Sequence, residues 1–387
     1  MAAQQSVSLP DPEEGPQVYR PGGFHPVTVG LVWDRARIES VFRALKILSA
    51  DCYGGQKDIF ELEILQHLRD ADPVHLGYPY ITHLIDSFDH HGPNGRHVCL
   101  VFPVMGKTLR SFGTWFDDDR VPDRLMQHFT TQLLLALDYA HDSGVIHTDI
   151  KPDNIFVRLT DDSLIASSYL PDNPADPAWS DPSTDPWTIP SQPLGRHYIR
   201  ESANFLDCNI ALGDWGVASW KDRHLAELIQ PIALRAPEVL IGALWDHTTD
   251  LWNLGAVLLE VLCAVRMFSG QVPPVRRYDV RMHLHEIVDL FGTFPRGLLE
   301  RGDDEFVKEH FDDEGRMKGP EPLRRRPLES EGFMPGLDEE QRVRFAGFLK
   351  KLMKIDPQRR KSTMKLLADP WLEVVDVQDP GDSDSDL

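Results

Sequence analysis

The most chemically suggestive stretch of the sequence is HTDIKPDN, residues 147–154. In it, Asp149 can accept a proton, Lys151 can neutralise an anion, and Asn154 offers an amide oxygen to a metal ion. Transfer of a phosphoryl group uses this combination, because the protein must position a hydroxyl and neutralise phosphate charge. The alternative at this point is an ordinary surface turn, which clusters of Asp, Pro and Asn also form.

A second acidic motif is DWG, residues 214–216, which follows the apolar run Ile210, Ala211 and Leu212. Asp214 could hold a metal ion that bridges two phosphates, with Trp215 as an apolar wedge beside it. Tripeptides of the form Asp-x-Gly are common in turns, so the motif gains its value from its position after residues 147–154.

The order of these and later motifs resembles that of the eukaryotic protein kinases. HTDIKPDN matches the H-x-D-x-x-x-x-N catalytic loop, and DWG resembles D-F-G. The resemblance implies that Asp149 is the catalytic base, that Lys151 contacts the transferred phosphoryl group, and that Asn154 and Asp214 bind metal. Structural roles are implied for the other motif residues, with Arg360 pairing with Glu238 of the APE element: His147, Gly216, Glu238, Asp250 and Arg360.

Upstream, Ala44-Leu45-Lys46 resembles the strand that carries the ATP-binding lysine of kinases. Lys46 would contact the α- and β-phosphates, and its partner should be Glu61, which fits the following helix better than Glu63. The alternative for Lys46 is a solvent-facing lysine on an edge strand. By the same resemblance, Phe102 lies at the back of the adenine pocket and the hinge consists of Pro103, Val104 and Met105.

Within the kinases, the chain is similar to the SR-protein kinases, the kinases of serine/arginine-rich splicing factors, in a fungal-like form. The resemblance rests on YRPGGFHPVTV at residues 19–29, PNG followed by HVCLVF, the HTDIKP loop and ALRAPEVLIG. It implies a serine/threonine kinase that uses ATP and Mg²⁺, phosphorylates basic Arg/Ser-rich proteins and takes part in the regulation of mRNA splicing. It also implies a cytoplasmic and nuclear location.

Thr148 stands where most kinases have the arginine of H-R-D. That arginine normally pairs with a phosphorylated activation loop, and a threonine cannot replace its charge. The segment 214–238 contains a single hydroxyl side chain, Ser219. The hypothesis is that activity does not depend on phosphorylation of this segment.

The glycine loop G-x-G-x-x-G, which covers ATP in kinases, is missing from the sequence before Lys46. Residues 31–45 read LVWDRARIESVFRAL and contain no glycine. Gly22 and Gly23 belong to the lead-in motif, and Gly54 and Gly55 follow the lysine. Loss of the loop should weaken ATP binding. Two explanations are open: the segment is lost from this isoform or gene model, or the protein is a pseudokinase. The alternative function is therefore a pseudokinase scaffold that binds basic partners.

The spacing of apolar residues predicts the strands and helices that could position these residues. Strands are predicted at Phe42–Leu48 and His97–Val104, and helices at Asp58–Arg69 and Leu125–His141. Seven prolines from Pro171 to Pro193 predict a mostly irregular insertion without helix. The predicted fold is α+β and bilobal. A truncated β-rich N-terminal lobe is predicted at residues 19–104, and a helical C-terminal lobe at residues 105–372 with a spacer at about 161–206. Residues 1–18 are predicted to be disordered, and residues 373–387 form an acidic tail.

The composition indicates which partners to expect. The formal net charge is −21, which disfavours nucleic acid and acidic membranes and favours basic partners. The apolar run Leu254–Val265 is too short to span a membrane and predicts a buried helix. The four cysteines have neither metal-ligand nor disulfide-framework spacing. We expect a monomer that binds neither DNA nor membranes.

A dense acidic run lies between Glu300 and Glu314 and could dock arginine-rich peptides. The alternative is a solvated surface. Ser383 and Ser385 in the acidic tail could be phosphorylation sites for acid-directed kinases, with a solvated tail as the alternative.

Overall fold

The computed structural model describes residues 16–25, 42–53, 59–174, 194–199, 204–263, 268–272, 277–319 and 327–373. They divide into two compact units. The first draws on the chain up to Leu109 and on Asp153–Ala218, and the second draws on Arg110–Pro152 and on the chain from Ser219 onward. Strands are prominent in the N-terminal part and helices in the C-terminal part, so the predicted α+β class is confirmed.

The described elements follow one another as the apolar patterns of the sequence require. The strands are β1 (Arg43–Ile47), β2 (Asp86–Gly92), β3 (Gly95–Pro103), β4 (Met105–Thr108), β5 (Val145–Ile146), β6 (Ile155–Arg158), β7 (Ile210–Leu212), β8 (Ser219–Trp220), β9 (Gln271–Val272) and β10 (Arg277–Tyr278). The α-helices are α1 (Glu61–Asp70), α2 (Leu109–Gly113), α3 (Asp123–Asp142), α4 (Leu170–Asp172), α5 (Pro237–Leu240), α6 (Thr249–Cys263), α7 (Val280–Phe291), α8 (Arg296–Leu299), α9 (Asp304–His310), α10 (Glu339–Leu352) and α11 (Thr363–Leu367).

The described residues of the first unit form two antiparallel sheets, ordered β1-β3-β2 and β4-β6-β7. Strand β3 is central in the first sheet, and its consecutive residues Val98, Cys99 and Leu100 are buried. Lys46 of β1 pairs with Leu100, which fixes the position of the lysine along the sheet. The second sheet begins directly after β3, because only Val104 separates β3 from β4.

Helix α1 begins at Glu61, three residues later than the sequence predicted. Its residues Ile64, Leu65 and Leu68 are buried, which accounts for the helical spacing of the apolar residues. Phe60 occupies the N-cap with non-helical backbone angles. The carboxylate of Glu61 therefore lies at the helix N-terminus, where negative charge is favoured.

The prediction that the insertion cannot hold a helix was wrong for its first part. A π-helical turn at Ile165–Tyr169 continues into α4, and Ile165 is buried. Prolines begin only at Pro171, so residues 161–170 are free of the residue type that breaks helices. The proline-rich remainder, residues 175–193, lies outside the described residues.

The second unit is mainly helical, and its core includes α3, α6, α10 and α11, with α6 packed against α3 and α10. The apolar run predicted as a buried helix forms most of α6, and Trp252, Leu254 and Leu258 are buried in it. Two-stranded sheets join β5 to β8 and β9 to β10.

Within the described ranges, no helix has the length and apolarity needed to cross a membrane. Several predicted features fall outside those ranges. They are the N-terminal residues 1–15, the glycine-free run before Phe42, Gly54 and Gly55, and the tail with Ser383 and Ser385.

Candidate active site

Lys46 of β1 lies between two carboxylates of the first unit. Its Nζ is 2.7 Å from Glu61 Oε1 and 2.8 Å from Asp214 Oδ1. Glu61 is the partner that the sequence predicted, and Glu63 instead accepts a hydrogen bond from Tyr53. Lys46 is therefore paired with two carboxylates, unlike the solvent-facing lysine of the alternative.

The charges of this group influence one another. Burial lowers the pKa of Lys46, but the carboxylates of Glu61 and Asp214 outweigh it, so the pKa lies above its ordinary value. Burial raises the pKa of the Glu61 carboxyl, and the ammonium of Lys46 opposes this effect. Lys46 therefore remains a cation at neutral pH and can neutralise an anionic ligand.

The DWG motif places its aspartate with a left-handed backbone. Asp214 has a φ of 58°, a region that costs non-glycine residues energy and is often found at functional sites. A Cβ on Gly216 would be 3.2 Å from Glu61 Oε2 and 3.5 Å from Asp214 Oδ1. A glycine at position 216 thus allows both carboxylates to approach the backbone. Trp215 is buried, as expected for an apolar wedge.

Asn154 is held next to this motif by the β6–β7 pairing. Its carbonyl oxygen accepts a hydrogen bond of 2.9 Å from the N–H of Gly213, and the residue is buried. The amide of Asn154 and the carboxylate of Asp214 line one cavity of about 480 Å³. The other predicted residues on the same cavity wall are Lys46, Glu61, Phe102, Pro103, Val104 and Met105.

Residues to which the sequence gave no site role also line this cavity, Phe156 among them. Thr82 lines it, and its buried Oγ1 has no hydrogen-bond partner among the described residues. Gly106 and Asp153 line it as well. Thr82 and Gly106 lie outside the quoted motifs, and Asp153 occupies a variable position of H-x-D-x-x-x-x-N, so no sequence signal assigned them to the site.

Asp149 and Lys151 form a group in the second unit. Lys151 Nζ is 2.8 Å from Asp149 Oδ2, and the N–H of Asp149 donates to His147 Nδ1 over 3.2 Å. Thr148 between them has a φ of 65° and is buried. A threonine in this conformation is strained, so other contacts must hold the loop.

Asp250, at the start of α6, supplies those contacts. Its Oδ2 accepts from the N–H of His147 and its Oδ1 from the N–H of Thr148, each over 2.9 Å. His141 Nε2 also lies 2.9 Å from Oδ2. Burial raises the pKa of Asp250, but the hydrogen bond and charge of His141 prevail and lower it below its ordinary value. The residue is a buried anion that fastens the loop, and His141 is a participant that the sequence analysis missed.

Glu238 and Arg360 form the pair that the resemblance implied. The two terminal nitrogens of the Arg360 guanidinium, Nη1 and Nη2, each donate to the Glu238 carboxylate over 2.6 Å, and both side chains are fully buried. The guanidinium carbon also lies 5.4 Å from the ring centre of Trp252. This bidentate contact joins α5 to the turn before α11.

Two further predicted features occur on the second unit. Ser219 is buried, and its Oγ accepts a hydrogen bond of 2.9 Å from the N–H of Leu225. In the acidic run, Asp303 caps α9 by accepting from Phe306, and Asp312 bonds Arg316. The remaining acidic residues of the run are exposed: Glu300, Asp304, Glu305, Glu309, Asp313 and Glu314.

Comparison with known proteins adds independent information. The family model described as a protein kinase domain matches residues 33–167 and 199–372. The serine/threonine-protein kinase SRPK of Physarum polycephalum is 28% identical over 93% of this chain and 91% of its own length. Protein kinase dsk1 of Schizosaccharomyces pombe is 25% identical over 95% of this chain and 86% of its own length. A serine/threonine protein kinase of Aspergillus fumigatus is 31% identical over 81% of this chain and 74% of its own length.

Proposed function

Because this chain belongs to the protein kinase family, we propose that it transfers the γ-phosphoryl group of Mg-ATP to serines of basic, Arg/Ser-rich proteins. The observation that carries the proposal is the cavity of the first unit. There, one ammonium, two carboxylates and one amide surround about 480 Å³.

The residues of this cavity fit an adenine nucleotide and its metal. The volume lies in the range of small-molecule sites, and the wall from Phe102 to Met105 is largely apolar. Asn154 and Asp214 offer hard oxygen donors of the kind that Mg²⁺ prefers. The buried Oγ1 of Thr82 is a polar atom whose hydrogen-bonding capacity a ligand could use.

Each residue has a role in the proposed transfer. Lys46, oriented by Glu61, holds the α- and β-phosphates, and Mg²⁺ supplies charge neutralisation at the transferred phosphate. Asp149 accepts the proton of the attacking serine hydroxyl, and Lys151 neutralises the phosphoryl oxygens. Asp149, Lys151 and Asn154 all belong to the HTDIKPDN motif.

The proposed substrate class follows from charge. A protein of net charge −21 attracts basic segments, and the exposed carboxylates of residues 300–314 can bind guanidinium groups. The names of the relatives in Physarum and fission yeast support a kinase of this type.

The docking idea can be tested by charge reversal away from the helix cap. Glu305→Lys with Asp313→Lys should weaken binding of an Arg/Ser peptide at least fivefold at low salt. The matched control is Glu339→Lys with Glu340→Lys, which makes the same change of charge at two exposed residues of α10. Equal affinities of both variants for the peptide would discard docking on this run.

We further propose that activity does not need phosphorylation of residues 214–238. Ser219, the single hydroxyl residue of that segment, is buried and bonds the backbone. Phosphatase treatment should therefore leave the rate unchanged. A loss of activity that Ser219→Ala reproduces would refute this.

A second candidate is a pseudokinase scaffold that binds basic partners. It is favoured by one observation, the absence of a glycine from residues 31–45 of the sequence. Without the loop, a kinase loses backbone donors that position phosphates. The scaffold candidate predicts peptide binding without phosphoryl transfer.

The deciding experiment is a phosphoryl-transfer assay with Mg-ATP on a peptide of alternating Arg and Ser. The proposal expects phosphoserine, and Asp149→Asn should reduce the rate by about 100-fold or more. Asp142→Asn, an exposed change at the end of α3, should leave it unchanged. Peptide binding with equal, background transfer by the wild type and Asp149→Asn would establish the scaffold instead.

A further inference from the structure

Gly106, directly after the hinge, is packed against an aromatic ring from a distant part of the chain. A Cβ built on Gly106 would be 2.5 Å from both Cδ2 and Cε2 of Tyr198, closer than atoms tolerate. Tyr198 has no exposed surface. It belongs to the described residues 194–199, near the far end of the insertion. The ring thus fills the place where any other residue would put its side chain.

The backbone of β4 is irregular at this point. Met105 pairs with Arg158 and Thr108 pairs with Phe156, so the register shifts between them. Such bulges remove ladder hydrogen bonds and need support from elsewhere. Burial raises the pKa of the Tyr198 phenol above its ordinary value, because the ring is fully enclosed beside this stretch. The irregular stretch therefore contains Gly106, the residue against which the Tyr198 ring packs.

Tyr198 is itself fixed to the same sheet and to the insertion. Its carbonyl oxygen accepts from the N–H of Thr160 over 3.2 Å and from Thr160 Oγ1 over 3.1 Å. Thr160 follows β6, the strand that pairs with β4. The preceding residue, His197, lies 2.8 Å from Ser168 Oγ in the π-helical turn. The ring is thus presented to Gly106 from a position with several backbone and side-chain attachments.

We infer that Tyr198 is a positioning residue for nucleotide binding. Met105 and Gly106 line the cavity, while Tyr198 does not line it and packs on Gly106. Glycine is the most conformationally free residue, so an unsupported Gly106 would let the hinge backbone adopt many arrangements. Hydrogen bonds that read a ligand depend on donors held in place, and small displacements are costly. The inference rests on the proposed function, because it assumes that the cavity binds a nucleotide.

The test measures nucleotide affinity directly, by titration with a fluorescent ADP analogue, beside the KM values for ATP and peptide. Tyr198→Ala should weaken ADP binding about tenfold and raise the KM for ATP, with the peptide KM unchanged within twofold. Tyr198→Phe keeps the ring and should stay within threefold of the wild type. Ser168→Ala is the matched control, because it loosens the insertion without touching Gly106.

A double-mutant cycle of Gly106→Ala and Tyr198→Ala separates a positioning role of Tyr198 from an effect on general stability. Gly106→Ala alone should weaken ADP binding at least tenfold, because its methyl group meets the Tyr198 ring. In the Tyr198→Ala background, Gly106→Ala should weaken ADP binding less than twofold, because the ring is gone. Additive losses in the double variant would overturn the inference. Should Tyr198→Ala fail to fold, Tyr198→Leu takes its place in both comparisons.

The outcomes also separate this inference from the proposed function. A wild-type protein that binds no ADP analogue contradicts the proposed function and this inference together. A wild type that binds it with the same affinity as Tyr198→Ala contradicts only the positioning role. Hydrogen exchange at residues 104–108, faster in Tyr198→Ala than in Ser168→Ala, is the expected structural readout.

Discussion

Replacing Asp250 with asparagine should detach the loop that carries Asp149. The carboxylate accepts three hydrogen bonds of 2.9 Å, from two backbone N–H groups and from His141. An asparagine keeps one oxygen. In its better orientation that oxygen retains the Oδ2 contacts, and the side-chain NH₂ faces the buried N–H of Thr148.

The loss of unfolding free energy in Asp250→Asn can be estimated from these contacts. An unsatisfied buried donor costs roughly 1–3 kcal/mol, and each remaining bond loses about 1 kcal/mol with the charge. The total is about 3–5 kcal/mol of unfolding free energy, a large part of the stability of a typical protein. In addition, the φ of 65° at Thr148 loses its restraint. We therefore expect kcat to fall at least tenfold, with nucleotide affinity nearly unchanged.

Urea unfolding and the peptide phosphorylation rate measure both effects. The matched control is Asp246→Asn, because Asp246 is exposed and its carboxylate accepts from the N–H and hydroxyl of Thr248. Asparagine serves in such a turn almost as well as aspartate, so the control should lose less than about 1 kcal/mol. An Asp250→Asn variant as stable and as active as the control would refute the anchoring role.

Three further outcomes are expected. Arg360→Met leaves the Glu238 charge buried and should lower the unfolding free energy by about 3–5 kcal/mol, whereas Arg296→Met, in an exposed pair, should cost under about 0.5 kcal/mol; similar urea midpoints would contradict this. Lys46→Met should weaken binding of an ADP analogue by at least about tenfold, and unchanged binding would remove it from the phosphate site. Burial, with smaller effects from two neighbouring histidines, lowers the pKa of His25 to about 4. The unfolded chain then takes up the proton first as pH falls below 6.5, so stability should drop by about 2 kcal/mol from pH 7 to pH 5, and His25→Gln should show a smaller drop.

The sequence predicted best where chemistry restricts the choice of residue. A lysine on an apolar strand and a glutamate on an apolar helix face need each other, and Lys46 and Glu61 are in contact. The same logic applies to Glu238 and Arg360, whose charges could not be buried singly. These pairs are distant in sequence, and only the order of motifs in the family indicated them.

The sequence predicted least where packing between remote segments decides. Proline content suggested no helix in the insertion, yet the residues before Pro171 are free of proline and bury Ile165. Nothing in the local pattern of residues 194–199 indicates that Tyr198 would reach Gly106. Thr82 likewise joins the cavity only because its backbone bonds Leu212. Such contacts depend on the assembled sheet and have no periodic signature.

The indole of Trp215 has a consequence for inhibitor design. It is buried beside the cavity, and moving it into water would expose about 150–250 Å², a cost of about 4–6 kcal/mol. Compounds that gain their affinity by displacing the aromatic residue after Asp214 would have to overcome that cost. Compounds that fill the space against Phe102 and Met105 leave the indole in place. We expect the first class to bind this protein more weakly than kinases with the smaller phenylalanine, and the second class to show no such difference.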